Sequence, residues 1–236
     1  MVLRVSKYKI TISFFFIAVV IFAFAAGMYV ETLAALFALG VHEFAHVFVG
    51  NKLGVVIHEI EILPFGGRIK SSLSDASDES EMLTVLAGPL ANFAVVGFIL
   101  VLSTLEFIPP KIAWQFTHYQ LMLGIFNMLP ALPLDGGRIF ALWLRQRMSF
   151  TSSVRIASHT GKILGYSMLI IALFGFAFKK LYISFIIAGF FLLQQASTEE
   201  KNAHLIFMKH LAKKKEKLSI KRYLPGEIII ADQETT

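Results

Sequence analysis

The apolar residues of this chain fall in long blocks rather than in the short alternations of a soluble fold. Six blocks reach or nearly reach bilayer length: residues 10–30, 33–50, 82–107, 112–129, 163–178 and 181–196. A spanning helix takes roughly 17–25 such residues, and the last two blocks sit at the short end. Lys179 and Lys180 separate them, which predicts a tight helical hairpin. The first block could also be read as a secretory leader. Its 21 residues exceed the roughly 7–15 of a signal core, so a membrane helix is expected instead.

The segments between blocks carry a different pattern. In "VVIHEIEILPFGGRIK" (55–70), Ile60 and Ile62 alternate with Glu59 and Glu61, and "PFGG" turns the chain. That is the signature of a strand and hairpin. Residues 71–81 are a polar loop. Residues 130–140, "PALPLDGGRIF", are interrupted by two prolines and two glycines. From Thr198 the chain turns charged and helical, then ends in "YLPGEIIIADQETT", with one strand-like run. The fold class that follows is an all-α polytopic membrane protein. It has six transmembrane helices and a small membrane-associated β-hairpin between helices 2 and 3. The expected units are 1–198 and a basic tail or linker at 199–236.

Composition agrees with lipid as the solvent. Of 236 residues, 56% are hydrophobic and 23 are Phe, whereas a soluble domain is about 45–50% apolar. The absence of cysteine excludes disulfides, a thiol nucleophile and Cys-bound zinc. A net charge of +6 suggests nucleic acid at first, but its placement argues otherwise. With six spans, 19 of the 22 Lys and Arg residues fall on one side, leaving only Lys111, Lys179 and Lys180 on the other. By the positive-inside rule, both termini are then cytoplasmic, and no nucleic-acid partner is needed. The run "HLAKKKEKLSIKR" can lie on anionic membrane lipid.

The second block contains His42, Glu43 and His46, where ionisable groups cost about 2.5–3.5 kcal/mol each near the bilayer centre. Histidines four apart lie about 40° apart on one helix face, so two imidazoles can reach one metal ion. Glu43 beside them can activate water, which is the H-E-x-x-H arrangement of zinc metalloproteases. A catalytic zinc needs a third protein group and an open fourth position. Asp135, in irregular backbone entering from the end of the fourth block, is the preferred candidate. His58 and Glu59 are second choices, if their strand folds back. His118 sits too near the outer end of its block, and His159, His204 and His210 are expected at the solvated surface. A proton or ion transporter is the main alternative, but the fifth and sixth blocks carry almost no charge within their cores. An inert membrane scaffold would bind no metal.

Taken together, the motifs resemble the site-2 protease family of intramembrane zinc metalloproteases. They run in the same order: H-E-x-x-H in the second helix, an "LPFGG" hairpin, an "AGPLANF" helix, then "FNMLPALPLDGG". The resemblance covers about residues 30–145, and its detail is most like the sporulation members. It implies one zinc ion on His42, His46 and Asp135, with Glu43 activating water. Asn127, eight residues before Asp135, matches an asparagine that contacts substrate or oxyanion; an interhelical hydrogen bond is the other reading. Asn92 is expected to be structural, with Gly88 and Pro89 allowing close packing or a kink. The implied substrate is a membrane-associated protein, an inactive sigma-factor precursor, cut near the cytoplasmic side of the mother-cell membrane around the forespore. Inhibitory membrane partners are implied too. The residues after "YLPGEIII" are too few for the ATP-responsive CBS domain usual in that branch, so that domain is expected to be either truncated or absent, and no PDZ domain is expected.

Overall fold

The computed structural model describes residues 2–5, 8–55, 57–63, 66–71, 77–178 and 182–223. Its elements are β1 (Val2–Val5), β2 (Tyr8–Ile12), α1 (Phe14–Ala25), α2 (Tyr29–Lys52), β3 (Ile57–Leu63) and β4 (Gly66–Ser71). They continue with α3 (Asp78–Thr104), α4 (Pro110–Asn127), α5 (Asp135–Arg145), α6 (Phe150–Ala177) and α7 (Ile183–Tyr223). The strand-like run after Tyr223, the turn at 64–65 and Lys179–Lys180 lie outside the described residues.

Among the described residues, three helices are long and apolar enough to cross a membrane: Tyr29–Lys52, Asp78–Thr104 and Phe150–Phe176. The expected six blocks therefore map onto helices of unequal character. The first block splits. Its start forms β2, its middle forms the 12-residue α1, and Gly27 at φ +80° turns the chain into α2. Left-handed backbone of that kind suits glycine because it lacks a Cβ. The fourth block becomes α4, whose Lys111, Gln115, Thr117, His118 and Gln120 dilute its hydropathy. The fifth block begins thirteen residues early, because Ser149 caps α6 by accepting from Ser152 N at 3.3 Å. Ser77 caps α3 in the same way, with Asp78, Glu79 and Glu81 in the first turn. The boundary expected at 198/199 falls inside the single helix α7.

The strands also exceed the expected hairpin. β3 and β4 pair antiparallel, but they belong to a four-stranded sheet of order β1-β2-β3-β4. β2 runs parallel to β3, with Ile10 opposite Ile60, and β1 pairs antiparallel with β2. The signal was present in "VLRVSKYKITI", where apolar and polar residues alternate. The basic residues there read only as the flank of a span.

The helical part buries several polar side chains beside its small apolar ones and exposes many large apolar residues. The largest fully buried side chains include Gln120, Asn92, Ser153 and Ser158, whereas Phe14, Phe22, Phe98, Leu173 and Phe176 stand largely exposed. Lipid tails are as apolar as leucine, so helices associate through small residues, close packing and hydrogen bonds. α2 follows this rule. Its buried stripe runs Ala34, Ala38, His42, His46 and Gly50, one residue every four, while Phe37, Phe44 and Phe48 face outward. That stripe packs on α3 and α4, α5 packs on α6 and α3, and α6 packs on α7.

Candidate metal centre

The α2 stripe places both imidazoles at the α2–α3 contact, where each is held through Nδ1. His46 Nδ1 donates to the Thr84 carbonyl at 2.8 Å. His42 Nδ1 donates to Asn92 Oδ1 at 2.6 Å. The Asn92 amide is itself oriented, because its Nδ2 donates to the Ala38 carbonyl at 3.1 Å and to Gln120 Oε1. With the Nδ1 protons committed to oxygen acceptors, each neutral ring turns an Nε2 lone pair inward.

Gly88 lets α3 approach this closely. A Cβ there would lie 2.5 Å from His46 Cε1 and 2.8 Å from His42 Cε1. Pro89, buried beside it, supplies no N–H to the turn before it.

Asp135 arrives from the other side of the bundle. It is the first residue of α5, with Leu134 as N-cap, so its carboxylate sits at the positive end of a helix dipole. The preceding segment is irregular yet buried. Ala131, Leu132 and Leu134 are each at most 5% exposed, packed against Leu192 on one side and Ala141 and Ala157 on the other. Such backbone survives at membrane depth only if its polar groups are paired. Leu132 N donates to the Ala157 carbonyl at 3.1 Å, and Thr160 Oγ1 donates to the Pro130 carbonyl at 2.6 Å. Gly136 and Gly137 complete the fit, since a Cβ at either would strike the backbone of 128–132.

The three groups converge. His42 Nε2 lies 3.1 Å from His46 Nε2, and Asp135 Oδ2 lies 3.0 Å and 3.2 Å from them. All three residues are buried, and they form a cluster able to hold one metal ion. Two inward lone pairs and a carboxylate at such spacing repel one another unless a cation sits among them. Zinc with bonds near 2.0–2.1 Å in a tetrahedron sets its donors about 3.3 Å apart, so this donor set fits it.

The remaining candidates are placed as follows. Glu43 is half-buried on α2 next to His42. Asn127 is buried at the end of α4, and its Nδ2 donates to the Leu123 carbonyl of the same helix at 3.1 Å. The side chains of His58 and Glu59, and those of His204 and His210, lie outside what is described. His118 packs on Trp114, and His159 is exposed. The residues that position the imidazoles, Thr84, Gly88 and Asn92, lie within or just before "AGPLANF". That motif marked Gly88 as close-packing and Asn92 as structural, not as supports for the rings, and Thr84 carried no signal.

The pattern of peptidase family M50 matches residues 30–112, which contain α2, α3 and the two histidines. The fold is similar to that of the site-2 protease from Methanocaldococcus jannaschii, with TM-score 0.71 and 27% identity over 85% of this chain and 94% of that one. The chain is similar to the site-2 proteases both in sequence pattern and in fold. Among curated relatives, it is 35% identical over 137 residues to a zinc metalloprotease of M. jannaschii, covering 56% of this chain and 39% of that protein. It is 26% identical over 117 residues to stage IV sporulation protein FB of Bacillus subtilis, covering 49% of this chain and 41% of that one. The chain thus spans about two fifths of the length of these relatives.

Proposed function

We propose that this chain is an intramembrane zinc metalloendopeptidase of the site-2 type. The observation carrying that reading is the meeting of His42 Nε2, His46 Nε2 and Asp135 Oδ2 within 3.2 Å, buried among apolar helices. These three residues hold the metal. When bound, zinc supplies a Lewis acid that acidifies water and polarises a carbonyl. Glu43 takes a proton from the attacking water as its oxygen adds to the peptide carbonyl carbon. Glu43 then gives that proton to the nitrogen as the C–N bond breaks. Thr84 and Asn92 hold the rings still, so little reorganisation is needed during the reaction. Asn127 can offer its amide to the developing oxyanion by exchanging its bond to Leu123.

The substrate must be extended locally, because a helix hides its carbonyls in its own hydrogen bonds. β3 is flanked by β2 and β4, so its backbone groups are already paired. Among the described residues the open edge beside it is that of β4. An incoming strand would pair there. If all six apolar blocks span, the distribution of basic residues supports both termini and the 199–236 segment lying on the cytoplasmic side. The 1–198 segment would be the catalytic unit. Likeness to a sporulation protein supports an inactive sigma-factor precursor as substrate, membrane inhibitors as partners, and the mother-cell membrane around the forespore as location.

The test is zinc analysis of purified protein, with cleavage of a co-expressed, membrane-tethered sigma-factor precursor. Wild type and Glu43→Gln should each carry one zinc per chain, and Asp135→Ala should carry none. Only wild type should cleave. Metal-free wild type, or a fully active Glu43→Gln, would overturn the proposal.

A further inference from the structure

The hydrogen bonds that hold His42 continue beyond Asn92 to a second buried amide. The Ala38 carbonyl can only accept, so the Asn92 atom facing it is Nδ2, and Oδ1 is left for His42. The second Asn92 N–H is taken by Gln120 Oε1, from α4. Gln120 is fully buried, and its own Nε2 has no hydrogen-bond partner among the described residues. A buried donor without an acceptor is unfavourable, and a leucine of nearly the same size would avoid it. What glutamine supplies at this position, and leucine does not, is the oxygen that faces Asn92.

We infer that Gln120 is a positioning residue for the metal centre. By accepting from Asn92 it locks that amide with its oxygen toward His42. The lock keeps the His42 proton on Nδ1 and its Nε2 lone pair turned inward. Without Gln120, only the bond to Ala38 holds the Asn92 amide apart from the bond to His42 itself, so the amide is freer to swing away from the ring. Partners behind a metal-binding histidine typically matter by about 10–100-fold in metal affinity. Gln120 acts one residue further out, so the lower end of that range, about 10-fold, is expected. The inference rests on the zinc reading above.

The experiment measures the zinc dissociation constant of the full chain in detergent by chelator competition, with the visible spectrum of the Co2+ form as a second readout. Wild type should bind one zinc. Gln120→Leu should weaken binding about 10-fold and alter the Co2+ spectrum, while Gln120→Glu, which keeps an acceptor oxygen there, should stay within about 2-fold. Thr117→Val alters another buried polar group of α4, outside this chain of bonds, and should change neither readout. Wild-type affinity and spectrum in Gln120→Leu would overturn the positioning role alone. So would equal losses in Gln120→Leu, Gln120→Glu and Thr117→Val, which would mark a packing effect. Failure of wild type to bind zinc would overturn the metal centre itself.

Discussion

Replacing Gly88 with alanine sets two magnitudes against each other. On helix propensity alone the change should help α3 by about 1 kcal/mol, because alanine is the better helix former. The added Cβ, however, would sit 2.5 Å from His46 Cε1 and 2.8 Å from His42 Cε1, where carbon contacts settle near 3.5 Å. Relief needs about 1 Å of movement at one ring and about 0.7 Å at the other. The rings cannot yield alone, since Thr84 and Asn92 hold them at 2.8 Å and 2.6 Å. Backing α3 away does not help either, because Thr84 and Asn92 ride on α3 and those same bonds would stretch. The expected result is zinc affinity lowered roughly 10–100-fold, as when such supports are lost, despite the gain in propensity. Chelator competition reads the affinity, and circular dichroism of the metal-free protein checks that the helices remain. A Gly88→Ala protein that binds zinc within about twofold of wild type would refute the close approach deduced for α3.

Three further outcomes follow from other parts of the site. Asp135→Asn preserves size but removes the charge, and should raise the zinc dissociation constant by more than the roughly 100-fold ceiling for supporting residues, read by the same competition assay. Gly161→Ala places a Cβ against the Leu132 carbonyl and 3.2 Å from Ala196 Cβ. It should lower unfolding stability by about 1–3 kcal/mol in detergent and weaken zinc binding, because the displaced segment carries Asp135. Arg145→Ala removes ion pairs to Glu81 at 3.5 Å and Asp78 at 3.7 Å, with the arginine 26% exposed. It should cost less than about 1 kcal/mol and leave zinc affinity unchanged.

Part of this site is legible from local order alone. The i, i+4 spacing of His42 and His46 works on any helix, and the apolar setting makes a polar face there conspicuous. Asp135 stood out as a carboxylate in proline- and glycine-broken chain and ranked above His58 and Glu59, but spacing could not show that it reaches the rings. The β1–β2 hairpin was misjudged because a basic, alternating segment before an apolar block fits either a strand or a membrane flank. Asn92 reads as a structural amide, and Gln120 carries no signal of its own in an apolar block. Their tie to His42 depends on how α3 and α4 face α2.

By itself, the order of residues determined the helical, lipid-facing character of the chain and the pairing of two imidazoles on one helix face with a carboxylate beside them. Both depend on interactions within a few residues, which helix geometry makes regular. Only the tertiary structure decided that Asp135, 93 positions after His42, reaches those rings, that β3 lies inside a sheet, and that two amides stand behind His42. Those meetings depend on how closely separate helices pack, set by glycines and buried carbonyls whose partners are far away in the chain.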